Sequence, residues 1–179
     1  MGERPSEYER DVNDWYVEPA WCVQALASRV EFSGGIHDPC CGSGTIPDVL
    51  SGSGADLIDR GYNFTVRDYL EDLTPYDNIV TNPPYALAQE IIEHALKHTV
   101  NRVAALVQTK FLASQKRHNL FSRRETERVI MFSRRPSMPP GLMLEKHGEG
   151  IRGGGSIDYC WVVWNRYKFG SCTIEWAIE

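Results

Sequence analysis

The chain has 179 residues, of which 42% are hydrophobic and 24% are charged, and its net charge is −5 at pH 7. These values predict one domain over residues 1–179; no long apolar run and no signal peptide are present, so we expect a cytoplasmic monomer and no membrane partner. The five cysteines show neither Cys-x-x-Cys pairs nor zinc-ligand spacing, which argues against a disulfide scaffold and a metal site.

Positive charge is concentrated in one part of this acidic chain. Residues 110–135 hold eight Lys and Arg against two Glu, a net charge of +6, so the remainder carries −11. Such a segment is typical of a surface that contacts phosphate groups, the alternative being a solvated helix face. The cations assigned to nucleic-acid contact are Lys110, Lys116, Arg117, Arg123, Arg124, Arg134 and Arg135.

The chain begins with a polar, acidic segment, residues 1–18, which has two aromatic residues near its end. Trp15 and Tyr16 stand shortly before Pro19, and Pro19 is predicted to lie in the first turn of a helix over residues 20–30. The aromatic pair is suited to cover an adenine or methionine group of a ligand. It is equally suited to fasten the segment to the core.

A short strand over residues 35–38 leads into a glycine-rich turn. The turn is Asp38-Pro-Cys40-Cys-Gly42-Ser-Gly44, and a helix is predicted to begin at Thr45. Glycine lets the backbone approach a ligand closely, and a helix start offers free N–H groups. The third glycine of the dinucleotide pattern is absent and no Gly-Lys-Ser/Thr follows, so we expect a cofactor other than a phosphate ligand.

Carboxylates follow the next two predicted strands. Asp56 and Asp59 lie where a second strand ends, near the usual offset of a ribose-binding carboxylate, and Asp56 is preferred. Asp68 follows a strand over residues 64–66, where it could accept a hydrogen bond from an adenine amino group. Each aspartate alone is explained as a surface or helix-capping residue, but their shared position at strand ends favours a binding role.

The tetrapeptide Asn82-Pro83-Pro84-Tyr85 stands between a strand over residues 78–81 and a helix over residues 86–97. The two prolines end the strand and turn the Asn82 side-chain oxygen and the Pro83 carbonyl outward as hydrogen-bond acceptors. Tyr85 adds a flat ring for stacking. The tetrapeptide predicts a slot for a planar, amino-bearing substrate; the alternative is a plain strand end with an aromatic core residue.

The rest of the chain continues the alternation of strands and helices. We predict a strand at 103–108, a basic helical stretch at 113–127, a strand at 129–132, a flexible loop at 134–156, a strand at 158–165 and an edge or hairpin strand at 173–178. This order predicts an open, mostly parallel α/β sheet that binds ligands beyond the carboxyl ends of its strands.

Together the motifs resemble those of class I S-adenosylmethionine-dependent amino methyltransferases, specifically the DNA adenine-N6 methyltransferases of phages and bacteria. The resemblance covers most of the chain and implies a Rossmann-like fold, with a mostly parallel seven-stranded sheet, helices on both faces and S-adenosyl-L-methionine as cofactor. The implied catalytic residues are Asn82, Pro83, Pro84 and Tyr85. The implied cofactor-binding residues are Trp15, Tyr16, Pro19, Asp38, Cys40, Gly42, Gly44, Asp56, Asp68 and Tyr69.

The implied reaction is methyl transfer to the N6 amino group of adenine in DNA. Residues 1–18 would cover the cofactor, and residues 134–156 would form a loop on the substrate side. No separate target-recognition domain is evident, so the DNA would be single-stranded or weakly sequence-specific, or a separate recognition subunit would take part. A ribosomal RNA base, a protein glutamine or a catalytically silent binding module are the alternatives. One departure is that Asp56 follows Gly44 by twelve positions, which is short for a helix, a turn and a strand.

Overall fold

The computed structural model describes residues 14–122, 125–147, 155–168 and 170–178. A sheet of eight strands forms its centre, one strand more than expected. In chain order the strands are β1 (Ile36–Asp38), β2 (Ser53–Asp56), β3 (Thr65–Val66), β4 (Tyr76–Thr81), β5 (Thr99–Gln108), β6 (Thr126–Phe132), β7 (Tyr159–Asn165) and β8 (Thr173–Ala177). The helices are α1 (Ala20–Ala27), α2 (Thr45–Leu50), α3 (Ala88–His98), α4 (His118–Phe121) and α5 (Gly141–His147), with 3₁₀ turns at Tyr69–Glu71, Thr109–Leu112 and Gln115–Arg117.

The strands lie in the order β3-β2-β1-β4-β5-β7-β6-β8, which confirms a mostly parallel sheet. Strand β7 runs antiparallel to both of its neighbours, β5 and β6, whereas the other five pairings are parallel. Seven of the eight described strands therefore end at one edge of the sheet, which we call the carboxyl edge. Ligands of open α/β sheets bind beyond this edge.

Helices cover both faces of the sheet, as expected. Apolar residues of α1 and α2 pack on one face, and those of α3 and the segment 111–121 pack on the other. The fully buried Trp161 of β7 donates a hydrogen bond from Nε1 to the carbonyl of Cys22 in α1 at 2.8 Å, which joins the centre of the sheet to the first helix. None of the described helices is long and apolar enough to span a membrane.

Several predicted boundaries were wrong. Helix α1 ends at Ala27, three residues earlier than predicted, and Pro19 precedes the helix at the N-cap with extended dihedrals. The predicted helix over residues 113–127 is broken: a 3₁₀ turn and the short α4 occupy part of it, and β6 begins at Thr126. The short interval after Gly44 is filled by a six-residue α2 and by β2, which begins at Ser53, inside the expected turn.

The region predicted as a flexible loop contains a helix. Helix α5 begins at Gly141, directly after Pro139 and Pro140, within the predicted loop 134–156. Proline is favoured at helix starts, so the proline pair was a signal that the glycine content of the region obscured. Residues 148–154 of this region lie outside the described residues, as do residues 1–13 of the expected cofactor-covering segment.

One buried histidine makes the stability of the fold depend on pH. The imidazole of His37 in β1 stacks on the ring of Tyr76, with centroids 4.2 Å apart and planes 4° apart, and its Nδ1 lies 2.8 Å from Ser53 Oγ. Burial lowers the pKa of His37 from 6.5 to about 4. The imidazole is therefore neutral in the folded protein at pH values where it is protonated in the unfolded chain.

We expect the contribution of His37 to the free energy of unfolding to fall as the pH is lowered from about 6.5 towards 4, by up to about 1.4 kcal/mol per pH unit relative to a variant without this imidazole. His37→Gln keeps a polar partner for Ser53 and removes the titration. Urea unfolding at pH 7 and pH 5 measures the effect: the wild-type protein should lose more stability than the variant between the two values. Equal losses would show that His37 does not contribute.

Candidate active site

A cavity of about 310 Å³ opens at the carboxyl edge, beside the ends of β1, β2 and β4. This volume is at the lower end of the range for small-molecule sites. The predicted site residues that line it are Trp15, Tyr16, Cys40, Gly42, Asp56, Asp68, Tyr69, Asn82 and Pro84. Residues from five separate stretches of the sequence are thus brought together.

The glycine turn after β1 forms the floor of the cavity. Gly42 and Gly44 have φ angles of +53° and +95°, in the left-handed region that favours glycine. A Cβ at Gly42 would lie 2.5 Å from Trp15 Nε1, and one at Gly44 would lie 2.6 Å from the Phe64 ring. The turn is therefore packed too closely for side chains at either position.

Asp56 holds this turn in place. Its Oδ2 accepts a hydrogen bond from the Gly42 N–H at 2.9 Å, and its Oδ1 accepts one from the Ile58 N–H at 3.1 Å. Arg60 Nε lies 3.4 Å from the same carboxylate. Asp56 ends β2 and lines the cavity, as predicted, but it also fixes the backbone of the turn, a role that sequence reasoning did not assign.

Asp38 supports the turn from behind. It is 1% exposed at the end of β1, and its Oδ1 accepts a hydrogen bond from the Cys40 N–H at 3.0 Å. Burial raises the pKa of its carboxyl well above the ordinary value. Asp38 is not among the residues lining the cavity, because the chain turns over it at Cys40. In this structure its carboxylate contacts the loop, and its predicted contact with a cofactor stays a prediction.

Segments 14–18 and 139–141 form a strap across the cavity. The Val17 N–H donates to the Pro139 carbonyl at 3.0 Å, and the Gly141 N–H donates to the Trp15 carbonyl at 2.9 Å. The buried Trp15 ring lies between Gly42 and Gly141, where a Cβ on either glycine would strike it. The Arg60 guanidinium lies 4.0 Å from the centre of the Trp15 ring. Sequence reasoning missed Gly141 because nothing local links it to Trp15.

Asn82 presents a free acceptor at the cavity. Its Nδ2 donates to the Tyr16 carbonyl at 2.8 Å and to Glu18 Oε2 at 2.9 Å. Its Oδ1 is buried and has no hydrogen-bond partner among the described residues. A buried amide oxygen without a donor is costly, so this atom is available to a ligand N–H.

Tyr85 lies behind Asn82 and not in the cavity wall. Its ring stacks on Tyr16, with centroids 5.4 Å apart and planes 22° apart, and its hydroxyl lies 2.9 Å from that of Tyr159. The ring face predicted to receive a substrate is thus covered by Tyr16. Pro83 is buried, and neither it, Pro19 nor Gly44 lines the cavity.

Glu18 is a site residue that sequence reasoning did not select. It is 7% exposed and lines the cavity beside Asn82. Burial raises the pKa of its carboxyl to about 7, although hydrogen bonds with Asn82 and Thr45 act in the opposite direction. A carboxylate next to the proline of a helix start resembles a surface residue in the sequence, so it gave no signal of its own.

Asp68 and Tyr69 also line the cavity. Asp68 is exposed, and its Oδ1 caps the 3₁₀ turn Tyr69–Glu71 by accepting from the Leu70 N–H at 2.9 Å. Tyr69 is buried against the edge of His94, and its hydroxyl has no hydrogen-bond partner among the described residues.

The predicted basic surface divides into exposed and paired cations. Lys110 and Lys116 are exposed beyond the end of β5. Arg117 is held against Phe111, with its guanidinium 4.2 Å from the ring centre and a 3.1 Å hydrogen bond to the Phe111 carbonyl. The first two are thus better placed than the third to contact a ligand.

Of the remaining predicted cations, the two that the structure describes both contact a partner. Arg134 lies 4.5 Å from the centre of the Trp21 ring, and Arg135 forms an ion pair with Asp158 at 2.7 Å. Arg123 and Arg124 lie outside the described residues. Their assignment to nucleic-acid contact stays a prediction.

No protein-family model and no curated protein matches the sequence, but solved structures match the fold. The M protein of the type I restriction enzyme EcoKI superposes with a TM-score of 0.57 at 12% identity, covering 90% of this chain and 45% of that one. A protein described as a modification subunit of a type I restriction enzyme from Vibrio vulnificus gives 0.53 at 14%, covering 88% and 45%. A TehB-like S-adenosylmethionine-dependent methyltransferase from Corynebacterium glutamicum gives 0.50 at 14%, covering 86% and 88%.

These similarities show that the chain has the class I methyltransferase fold. In this chain the fold has the reversed strand β7 between β5 and β6 and a cavity at the carboxyl edge. The chain spans 45% of the length of each of the two modification subunits. At sequence identities of 12–14%, these similarities show the fold alone.

Proposed function

We propose that the protein transfers a methyl group from S-adenosylmethionine to the N6 amino group of adenine in DNA. The observation that carries this proposal is the buried, unpartnered Oδ1 of Asn82 at the edge of a cavity that the glycine turn and the strap enclose. An exocyclic amino group is the donor that this acceptor lacks.

The residues present fit the proposed cofactor. The Gly42 turn has no room for side chains, Trp15 supplies an aromatic wall, and the exposed Asp68 supplies a carboxylate to the same cavity. Trp15 and Asp68 would therefore hold the adenosine part and the turn would hold the methionine part or lie beneath it. S-adenosylmethionine supplies an electrophilic methyl group on a sulfonium centre, which needs no metal ion.

The chain supplies the acceptor that activates the amino group. The nitrogen lone pair of an aromatic amine is delocalised into the ring, so the amine is a poor nucleophile. When Asn82 Oδ1 accepts a hydrogen bond from it, the nitrogen is drawn towards tetrahedral geometry and the lone pair becomes available. An adenine in a duplex has to leave the base stack to reach this atom, at a cost of about a few kcal/mol.

Two lines support DNA as the substrate. The exposed Lys110 and Lys116 follow β5, whose carboxyl end adjoins that of β4, so both stand on the side of the sheet where Asn82 lies. Two of the proteins with the same fold are modification subunits of type I restriction enzymes, which also supports a partner subunit as the source of sequence recognition.

The deciding experiment is incubation with tritium-labelled S-adenosylmethionine and, separately, single-stranded DNA, duplex DNA, ribosomal RNA and a cell extract. Nucleoside analysis should find the label in N6-methyladenine from DNA. Label in RNA or in protein glutamine would keep the chemistry and replace the substrate. Cofactor binding without any label would contradict the proposal for the chain acting alone, and the assay would then be repeated with a recognition subunit.

Replacing Lys110 and Lys116 by glutamine should weaken DNA binding and its dependence on salt. Each lost phosphate contact reduces the slope of log K against log salt by about 0.7 to 0.9. Binding titrations between low and moderate salt measure that slope for the wild-type protein and the double variant. Lys97→Gln is the matched control, because Lys97 is exposed in the last turn of α3, at the opposite edge of the sheet. An unchanged slope in the double variant would remove these lysines from the contact surface.

A further inference from the structure

The amide of Asn82 has two possible orientations, and its surroundings select one. The end of the amide nearest the strap lies 2.8 Å from the Tyr16 carbonyl and 2.9 Å from Glu18 Oε2. Both of these atoms are acceptors, so that end has to be the NH₂ group. The oxygen is consequently left at the other end without a partner.

We propose that Glu18 is a positioning residue that fixes the Asn82 amide with its oxygen available to the target amino group. The inference rests on the proposed function for its catalytic consequence, although the amide orientation itself is independent of the substrate. Glu18 can fill this role because it is buried, lines the same cavity as Asn82 and reaches the amide directly. It acts through Asn82 and needs no contact with the target.

Loss of the carboxylate would weaken the selection between the two orientations without abolishing it. In Glu18→Ala the Tyr16 carbonyl still accepts one hydrogen bond from Nδ2. Glu18→Gln mimics the protonated carboxyl: its carbonyl oxygen can accept from Nδ2, but its NH₂ group can equally donate to Oδ1 of the turned amide, so the Tyr16 carbonyl again has to make the selection. Both variants should therefore be impaired, whereas a role confined to filling space would leave the glutamine variant fully active.

Protonation of Glu18 would have an effect similar to its removal. A protonated carboxyl can donate to Asn82 Oδ1 if the amide turns over, which would occupy the acceptor meant for the target. Burial raises the pKa of Glu18 to about 7, so the carboxylate form predominates above that pH and is lost below it. The methyl-transfer rate should therefore rise with pH through this region.

Other groups facing Glu18 have to be separated from it. Asp38, at the end of β1, interacts electrostatically with Glu18, and burial raises the pKa of Asp38 well above its ordinary value. Burial also raises the pKa of Tyr85, behind Asn82, so its hydroxyl stays neutral near pH 7. From α2, Thr45 contributes a hydroxyl that does not titrate. Asp38 is thus the group from which Glu18 has to be distinguished.

The kinetic test compares Glu18→Ala and Glu18→Gln with the wild-type protein on the nucleic acid that it methylates. At pH 8 both variants should lose about 10- to 100-fold in kcat, although glutamine fills the same space as glutamate. The wild-type kcat should fall as the pH drops through about 7. This inflection should be lost in Glu18→Gln and kept in Asp38→Asn.

A second measurement needs no substrate. The side-chain NH₂ resonances of Asn82, assigned by their absence in Asn82→Ala, should shift with pH through about 7 in the wild-type protein and not in Glu18→Gln. If no nucleic acid is methylated but this titration is seen, the proposed function fails while the positioning role stands. The inference would be overturned if the side-chain NH₂ resonances of Asn82 changed neither with pH nor in the Glu18 variants. So would a defect in Glu18→Ala that lies wholly in cofactor affinity, measured by calorimetry with S-adenosylmethionine.

Discussion

Asn82→Ala should lower the rate of methyl transfer by about 10²- to 10³-fold or more, while affinity for S-adenosylmethionine changes by no more than a few-fold. The variant removes the one unpartnered acceptor of the Asn82 side chain, so the target amine is no longer drawn towards tetrahedral geometry. Initial rates with saturating cofactor, together with calorimetric titration of the cofactor, measure the two effects separately.

The same substitution should also cost stability, because it leaves Glu18 and the Tyr16 carbonyl without their donor. We expect a loss of about 1–3 kcal/mol, which urea unfolding would detect. Asn101→Ala is the matched control: its Nδ2 also donates to one backbone carbonyl, that of Ser33, at 2.9 Å, near the opposite edge of the sheet. If cofactor affinity fell as steeply as the rate in Asn82→Ala, the catalytic assignment of Asn82 would be wrong.

Gly141→Ala should destabilise the protein and weaken cofactor binding by about tenfold or more, although alanine is the better helix former. Helix propensity alone would favour alanine at this first position of α5 by up to about 1 kcal/mol. The new methyl group, however, would overlap the Trp15 ring, which has Gly42 on its other side and cannot move away freely. Overpacking of this kind costs about 1–3 kcal/mol, so the clash outweighs the propensity.

Thermal unfolding and cofactor titration of four proteins would test this account. Trp15→Ala, Gly141→Ala and their combination, with the wild type, form a double-mutant cycle. The glycine substitution should cost much less when Trp15 has already been removed. Leu142→Ala is the neighbouring control, since Leu142 is 49% exposed in the same helix. Equal costs in both backgrounds would show that the Trp15 contact is not the cause.

The mostly parallel sheet could be predicted, and a site could be hypothesised at the ends of its strands, because these signals are local. Asp38 and Asp56 end β1 and β2, Asn82 follows β4, and the ends of parallel strands meet at one edge. The glycine turn could be predicted from its composition, because glycine favours the positive φ angles that Gly42 and Gly44 adopt. These features depend on residues close together in the sequence.

The missed features depend on contacts between distant residues. Glu18 and Asn82 are 64 positions apart in the sequence. Gly141 contacts Trp15 although the six strands β1 to β6 lie between them in the sequence. Strand β6 was read partly as a helix because its first residues are charged. Glu127 is nevertheless buried, and its charge is balanced by Arg102 and Arg128, a pairing that the order of residues does not reveal.

The reversed strand β7 also constrains how the chain can assemble during synthesis. It lies between β5 and β6, yet the ribosome makes it after both. Until residues 159–165 emerge, the inner edges of β5 and β6 therefore lack the strand that separates them, and α1 lacks the Trp161 side chain that bonds to Cys22. Unpaired strand edges are prone to intermolecular pairing. The nascent chain thus has its most vulnerable interval in the time needed to translate from β6 to the end of β7.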